Sequence, residues 1–305
     1  MGLGGALIWT AVFKNIKKQY PNKKIVYVYS QTFKSFLKGE KNGDFVIYEN
    51  NKDLFLKLPF FIYRRVKFLF WDKVFFVVDT TKKEVSIHDK VEDGKIFYKS
   101  GKHMVDYLCE GLEIEVSTYH PTISLTKLEL KDVNRKVHEL SDEYEFICIE
   151  PNFKENFTVN KAWFWDRWQD LVDSINAHFA ENNQSIKVVQ IGAPKSKVLD
   201  GVIDLTNKGL SFRETSAILQ KSKLFVGYMG GLVHLNKSVG GKSVVLISGF
   251  EPLELGSYQD DINIYKKQDC NNCGLLLTPC PIERKCMQDI SVEEVFSSII
   301  KNIKG

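Results

Sequence analysis

No apolar run in this chain approaches the ~20 residues that a membrane-spanning helix needs. Met1–Ala11 also lacks the basic start of a secretory signal, so the expectation is a cytoplasmic protein. Charge of one sign is scarce: 42 Lys and Arg against 38 Asp and Glu leave a formal net charge of +4. That small excess suits anionic substrates or an anionic lipid surface and argues against a nucleic-acid partner. No repeat at solenoid periods and no low-complexity segment interrupts the sequence. What remains is 305 residues, 44% hydrophobic and 26% charged, a globular composition long enough for two domains.

The second half carries the clearer pattern. EFICIE (145–150), KVVQIG (187–192), GVIDLT (201–206), KLFVG (223–227), KSVVLIS (242–248) and INIYKK (262–267) read as short strands. Between them, Trp168, Leu171, Val172, Ile175 and Phe179 recur at helical spacing. Ser211 followed by Glu214 is a capping-box pattern that opens a helix ending near Lys221. GGLVHLNKSVG (230–240) is a short helix, and Val292, Val295, Ile299 and Ile303 give the last helix an apolar side. Continuous apolar strands alternating with helices predict a parallel sheet covered on both faces. Ligands then bind beyond the carboxyl ends of the strands. The first half has a helical face at Ile8, Val12 and Ile16, followed by strands KIVYVY, DFVIYE and KVFFVVD. The stretch from Thr118 to Ser141 reads as a connection or edge strands. The boundary is set at 141/142, giving domains 1–141 and 142–305.

Several residues stand where chemistry would need them. Gly230 and Gly231 precede a helix, where backbone N–H groups can meet phosphate oxygens, and His234 lies one turn on. Alternatively the glycines make a turn and His234 packs beneath it. Thr158, Asn160 and Lys161 sit in a loop after a strand. Cys270, Cys273, Cys280 and Cys286 give C-x2-C and then C-x5-C, six residues apart. Four thiolates in that span suit a tetrahedral structural zinc; four small buried thiols explain them as well. LPFFIYRRVKFLFW (58–71) mixes aromatics with Arg64, Arg65 and Lys67. It is either a lipid-facing patch or packing within the first domain.

Three segments together resemble glycosyltransferase family 9, the heptosyltransferase-like enzymes. They are GLGGALIWTAVFKNIKKQYPNKKIVYV, NKAWFWDRWQDLVDSI and LSFRETSAILQKSKLFVGYMGGLVHLNKSVGGKSVVLISG; the cysteine-rich tail ending in CMQDISVEEV is also similar. The resemblance implies an α/β chain of GT-B type, two Rossmann-like domains facing across a cleft. Because GLGG arrives at Gly2 with no strand before it, either the first strand of the N-terminal domain is missing from a late start or that domain starts on its helix. It implies a sugar, such as a heptose, moved from a nucleotide-sugar donor, ADP-linked by preference, to a bacterial surface glycan such as lipopolysaccharide or capsule. The acceptor would be a glycan or lipid-linked glycan, with peripheral contact at the inner membrane.

The resemblance also assigns roles. Thr158, Asn160, Lys161, Gly230, Gly231 and His234 would bind the donor phosphates, and Glu214 either the ribose or only its own helix cap. Gly2, Gly4 and Gly5 would form an acceptor-side loop. Lysine and backbone dipoles would neutralise the leaving diphosphate, so the transfer requires no metal cofactor. Two positions depart from the pattern. Gly5 stands where many members carry the aspartate base, and Met229 where many carry an acidic residue. Asp79, or His88 nearby, is the substitute candidate for the base. A non-catalytic nucleotide- or glycan-binding member is the alternative.

Overall fold

The computed structural model describes residues 3–30, 38, 45–49, 75–79, 87–137, 144–152 and 157–303. Gly2, the side chains of Asp79 and His88, and the aromatic and basic segment 58–71 lie outside the described residues. The chain divides into two compact units. The first comprises Met1–Ser86 and Val105–Ser124, the second Ile87–Met104 and Leu125–Gly305.

In the first unit, helix α1 (Leu3–Gln19) is buried nearly all round: Ala6, Leu7, Trp9, Ala11, Val12, Phe13 and Ile16 are at most 3% exposed. Such a helix needs no polar face. Gly4 and Gly5, expected in a loop, lie in its first turns; the apolar run behind them carries the helix back through both. Strands β1 (Lys24–Ser30), β2 (Phe45–Glu49) and β3 (Phe75–Asp79) form a parallel sheet in the order β2-β1-β3. Asp79 thus ends a strand, as its sequence suggested. The Asn15 side chain accepts from the Ser117 and Thr118 amides at 2.9 and 3.0 Å and donates to the Thr118 carbonyl at 2.9 Å. One amide thereby fixes the extended return segment.

The second unit begins with a hairpin, β4 (His88–Glu92) and β5 (Lys95–Tyr98), turning at Asp93-Gly94. Helix α2 (Met104–Glu110) follows in the chain, and from Val105 on it belongs to the first unit. Helix α3 (Lys127–Lys136) replaces the connection or edge strands expected there. Thr126 caps it, accepting from the Glu129 amide at 3.2 Å, while Glu129 returns a bond to the Thr126 amide at 2.9 Å. Then come β6 (Glu145–Ile149), α4 (Trp165–Glu181), β7 (Ile186–Gln190), β8 (Ile203–Asp204), α5 (Phe212–Lys221), β9 (Phe225–Tyr228), α6 (Gly231–Ser238), β10 (Ser243–Ile247), α7 (Leu253–Gly256), β11 (Ile262–Tyr265), α8 (Lys285–Gln288) and α9 (Val292–Ile303).

The six strands from β6 to β11 are all parallel, in the order β11-β10-β9-β6-β7-β8. Alternation along them sorts the faces. Ile147, Ile149, Val226, Tyr228, Val244 and Leu246 meet Trp168, Leu171, Val172, Ile175 and Phe179 of α4 and Val295 and Ile299 of α9. Each large apolar side chain buried there contributes about 1.5–3 kcal/mol. The Tyr228 hydroxyl ties this core to the strand ends. It accepts from the Trp168 indole at 2.6 Å and the Trp163 amide at 3.2 Å, and donates to the Pro151 carbonyl at 2.9 Å.

Candidate active site

From β6 the chain runs outward through β7 and β8, then returns to β9 on the other side of β6. The strand order therefore reverses between β6 and β9, and the crevice beyond their carboxyl ends is where such a sheet receives a ligand. Lys161 arrives there on the loop that follows β6. Its Nζ donates to the Met229 carbonyl at 3.2 Å, pairs with Glu251 and stands 5.3 Å from the Phe250 ring centre. One ammonium group thus gathers the ends of β6, β9 and β10.

Gly230 sits at the same end. Its φ of 178° is extended backbone, open to any residue. A Cβ placed on it would find only the Tyr228 carbonyl, 3.9 Å away. Neither conformation nor packing within the protein calls for glycine there. Helix α6 begins at the next residue, Gly231, so its free N–H groups face this open space.

His234 is buried, and its Nδ1 shares a 2.8 Å hydrogen bond with the Tyr258 hydroxyl. Burial first, then the fields of His103 and Lys161, push its pKa down to about 3. At neutral pH the ring carries no charge, so it offers a ligand a hydrogen bond but no electrostatic attraction.

The other expected residues are placed differently. Thr158 donates to the Leu275 carbonyl at 2.9 Å, and Asn160 donates to the Leu275 and Thr278 carbonyls at 2.9 Å. Asn160 also accepts from the Cys280 amide at 3.0 Å. Both brace the cysteine loop. Glu214 completes the α5 capping box, accepting from the Ser211 amide at 2.6 Å. Cys270 is exposed, Cys273 and Cys280 are half-buried and Cys286 is buried. The tetrahedral zinc site expected of them is not formed: among the described residues no three His, Cys, Asp or Glu side chains are grouped to hold a metal ion. Burial first, and then the charges of the neighbouring cysteines, raise the pKa of Cys273 and of Cys286.

Three residues escaped sequence reasoning: Glu251, Tyr258 and Glu150. The first two are partners, recognisable only once the chain is folded. Glu150 had a local signal, a carboxylate closing an apolar strand. It directly follows β6, and burial pushes its pKa up to about 8.

The architecture has solved counterparts. A glycosyltransferase of family 9 from Veillonella parvula superimposes with a TM-score of 0.72 at 15% identity, over 100% of this chain and 95% of that one. The ADP-heptose lipopolysaccharide heptosyltransferase II of Escherichia coli gives 0.66 at 12% identity, over 99% and 96%. An E. coli heptosyltransferase solved with ADP-2-deoxy-2-fluoro heptose gives 0.56 at 13% identity, over 99% and 97%.

The chain has the GT-B fold.

No protein-family model matches the sequence, and no curated protein matches it. In the GT-B frame, the β6–β9 crevice belongs to the C-terminal Rossmann-like sheet. Among the described residues no helix is long and apolar enough to cross a membrane.

Proposed function

We propose that the protein is a glycosyltransferase that moves a sugar from a nucleotide-sugar donor to a bacterial surface glycan such as lipopolysaccharide or capsule. An ADP-linked heptose is the favoured donor. One of the similar structures is an ADP-heptose heptosyltransferase, and another was solved with ADP-2-deoxy-2-fluoro heptose. The observation that carries the reading is the pairing of Lys161 with an open, glycine-lined helix start at the switch point. A diphosphate there would meet the ammonium group and the N–H groups of α6 as it departs. The reading assigns neutralisation of the leaving group to these two rather than to a metal, and the transfer to a single displacement at the anomeric carbon. It carries with it a cytoplasmic protein that touches the membrane where a lipid-linked acceptor sits. Asp79, at the end of β3, is retained as the candidate base.

The test is thermal unfolding with ADP, UDP, GDP, CDP and CMP. A nucleotide present at about 100 times its dissociation constant adds about 2.7 kcal/mol, a shift of a few degrees for a chain of this size. No shift with any of them would sink the donor site.

A second reading is a member that binds but does not transfer. Met229 favours it: the side chain is 5% exposed and its sulfur packs 3.1 Å from the Cβ position of Gly256, so an apolar contact stands where the pattern has an acidic one. Nucleotide binding with no turnover on any heptose donor and glycan acceptor would establish this second reading over the first.

A further inference from the structure

Glu251 is carried on a backbone that is fixed on both sides. Before it, the Cys273 amide donates to the Gly249 carbonyl at 3.0 Å, and the Gly274 amide to the Phe250 carbonyl at 2.9 Å. After it, Pro252 caps α7, and at the end of that short helix the Met229 sulfur packs 3.1 Å from the Cβ position of Gly256. The segment therefore lies against the carboxyl end of β9. Lys161 reaches the same place, where its Nζ donates to the Met229 carbonyl at 3.2 Å. Met229 immediately precedes Gly230, the N-cap of α6. An anion bonded to that ammonium group stands beside the helix start, and in the free protein this anion is the Glu251 carboxylate.

The pair is enclosed. The two side chains are 16% and 14% exposed. The Phe250 ring flanks the ammonium group and is itself met edge-on by Tyr98 at 5.8 Å and Phe157 at 5.7 Å. Water and salt screen such a pair poorly, so a second anion brought to Lys161 is strongly repelled while the carboxylate stays. Among the described residues, Lys161 is the one hydrogen-bond partner of that carboxylate. A change of side-chain rotamer parts the two without moving the braced backbone.

We propose that Glu251 is a resident stand-in for the ligand's phosphate: its carboxylate occupies the Lys161 ammonium group in the free protein, and a nucleoside diphosphate binds by displacing it. This rests on the donor-site reading and adds to it a residue that sets affinity. The pairing keeps a cation ready at the helix start without leaving a lone charge in an enclosed place. It also sets a threshold. A multiply charged diphosphate exchanges one charge-assisted hydrogen bond for a stronger set that includes the α6 N–H groups, whereas a singly charged anion gains little by the exchange.

The test measures binding of ADP, UDP, GDP and CDP by calorimetry to the full chain, to Glu251→Gln, and to both in a Lys161→Ala background. Glu251→Gln should bind the preferred nucleotide about ten- to a hundredfold more tightly than the parent, the worth of the charged hydrogen bond that the parent gives up. With Lys161 replaced, that gain should shrink to a few-fold, because no ammonium group is left to free. Melting of the free variants checks that each is folded, and Glu251→Ala is the second variant with the same expectation. Unchanged or weaker binding by Glu251→Gln overturns the inference, the weaker case meaning a carboxylate that holds the ligand. So does a gain of full size in the Lys161→Ala background, which would be repulsion across the site with no exchange at Lys161. If the four nucleotides bind neither the parent nor Glu251→Gln, the donor-site reading falls and this inference with it. A nucleotide that binds only the variant upholds both.

Discussion

A neutral histidine beside a lysine sets a pH limit on the fold. The pKa of His234 falls from an ordinary 6.5 to about 3 in the folded chain. Between these values the unfolded chain binds the extra proton, so the contribution of His234 is complete above pH 6.5 and is lost as pH falls toward 3. The loss amounts to about 1.4 kcal/mol for each pH unit in that window. Replacing His234 with Gln should flatten this part of the stability profile, read as urea midpoints from pH 7 to pH 4. Lys161 makes a prediction of opposite sign from its partner. Lys161→Ala should weaken nucleotide binding about ten- to a hundredfold, the worth of one charged hydrogen bond. Glu251→Gln releases the same ammonium group and should not weaken it. Equal losses in both variants would mean that the pair is only structural.

Helices α3 and α5 are joined through their caps. Glu129, which closes the α3 capping box, also accepts from Arg213 of α5, Nε at 2.6 Å and Nη2 at 2.9 Å. Arg213 is 8% exposed. Arg213→Ala removes the cation facing a carboxylate that is mostly enclosed and leaves it only its capping bonds; the expected cost, discounted for its residual exposure, is about 2 kcal/mol by chemical denaturation. None of this was visible as periodicity. Helix α3 reads KLELKDVNRK, with Leu128 largely exposed, so its apolar stripe is too thin to register. The Thr126-Lys-Leu-Glu129 cap signature was its only local sign. The hairpin was missed for a related reason. Its first strand, HDKVE, lacks an alternating apolar face, and only Asp93-Gly94 marks the turn. By contrast, the α4 face was legible residue by residue, because one uninterrupted core selected it. Gly274 fixes the hairpin in place. At φ +60°, a Cβ there would fall 1.9 Å from the Ile96 carbonyl oxygen. Gly274→Ala should therefore cost more than about 2 kcal/mol, measured as a fall in melting temperature.

At the scale of the whole chain, the units do not follow one another in sequence. The backbone passes between them three times, at 86/87, 104/105 and 124/125. A fragment starting at 125 would contain the whole six-stranded sheet yet lack the hairpin. Ile96 donates to the Gly274 carbonyl at 2.9 Å, and the Tyr98 ring meets Phe250 edge-on at 5.8 Å. That fragment is expected to melt well below one that begins at 87, with Phe250 uncovered and binding of a hydrophobic dye increased. Composition and pattern could not reveal such threading. Nor could they pair Lys161 with Glu251, ninety residues away. Strand ends told where the site lies; the partners that tune it depend on which strands become neighbours.

The same threading has a consequence for biosynthesis. The hairpin leaves the ribosome early, but the carbonyl that docks it belongs to Gly274, about 180 residues later. At a translation rate of roughly 5–20 residues per second, strand β5 waits on the order of ten to thirty-five seconds before its partner exists. For that interval Ile96 and Tyr98 are exposed on a nascent chain, and a chaperone that shields short aromatic strands has its window there.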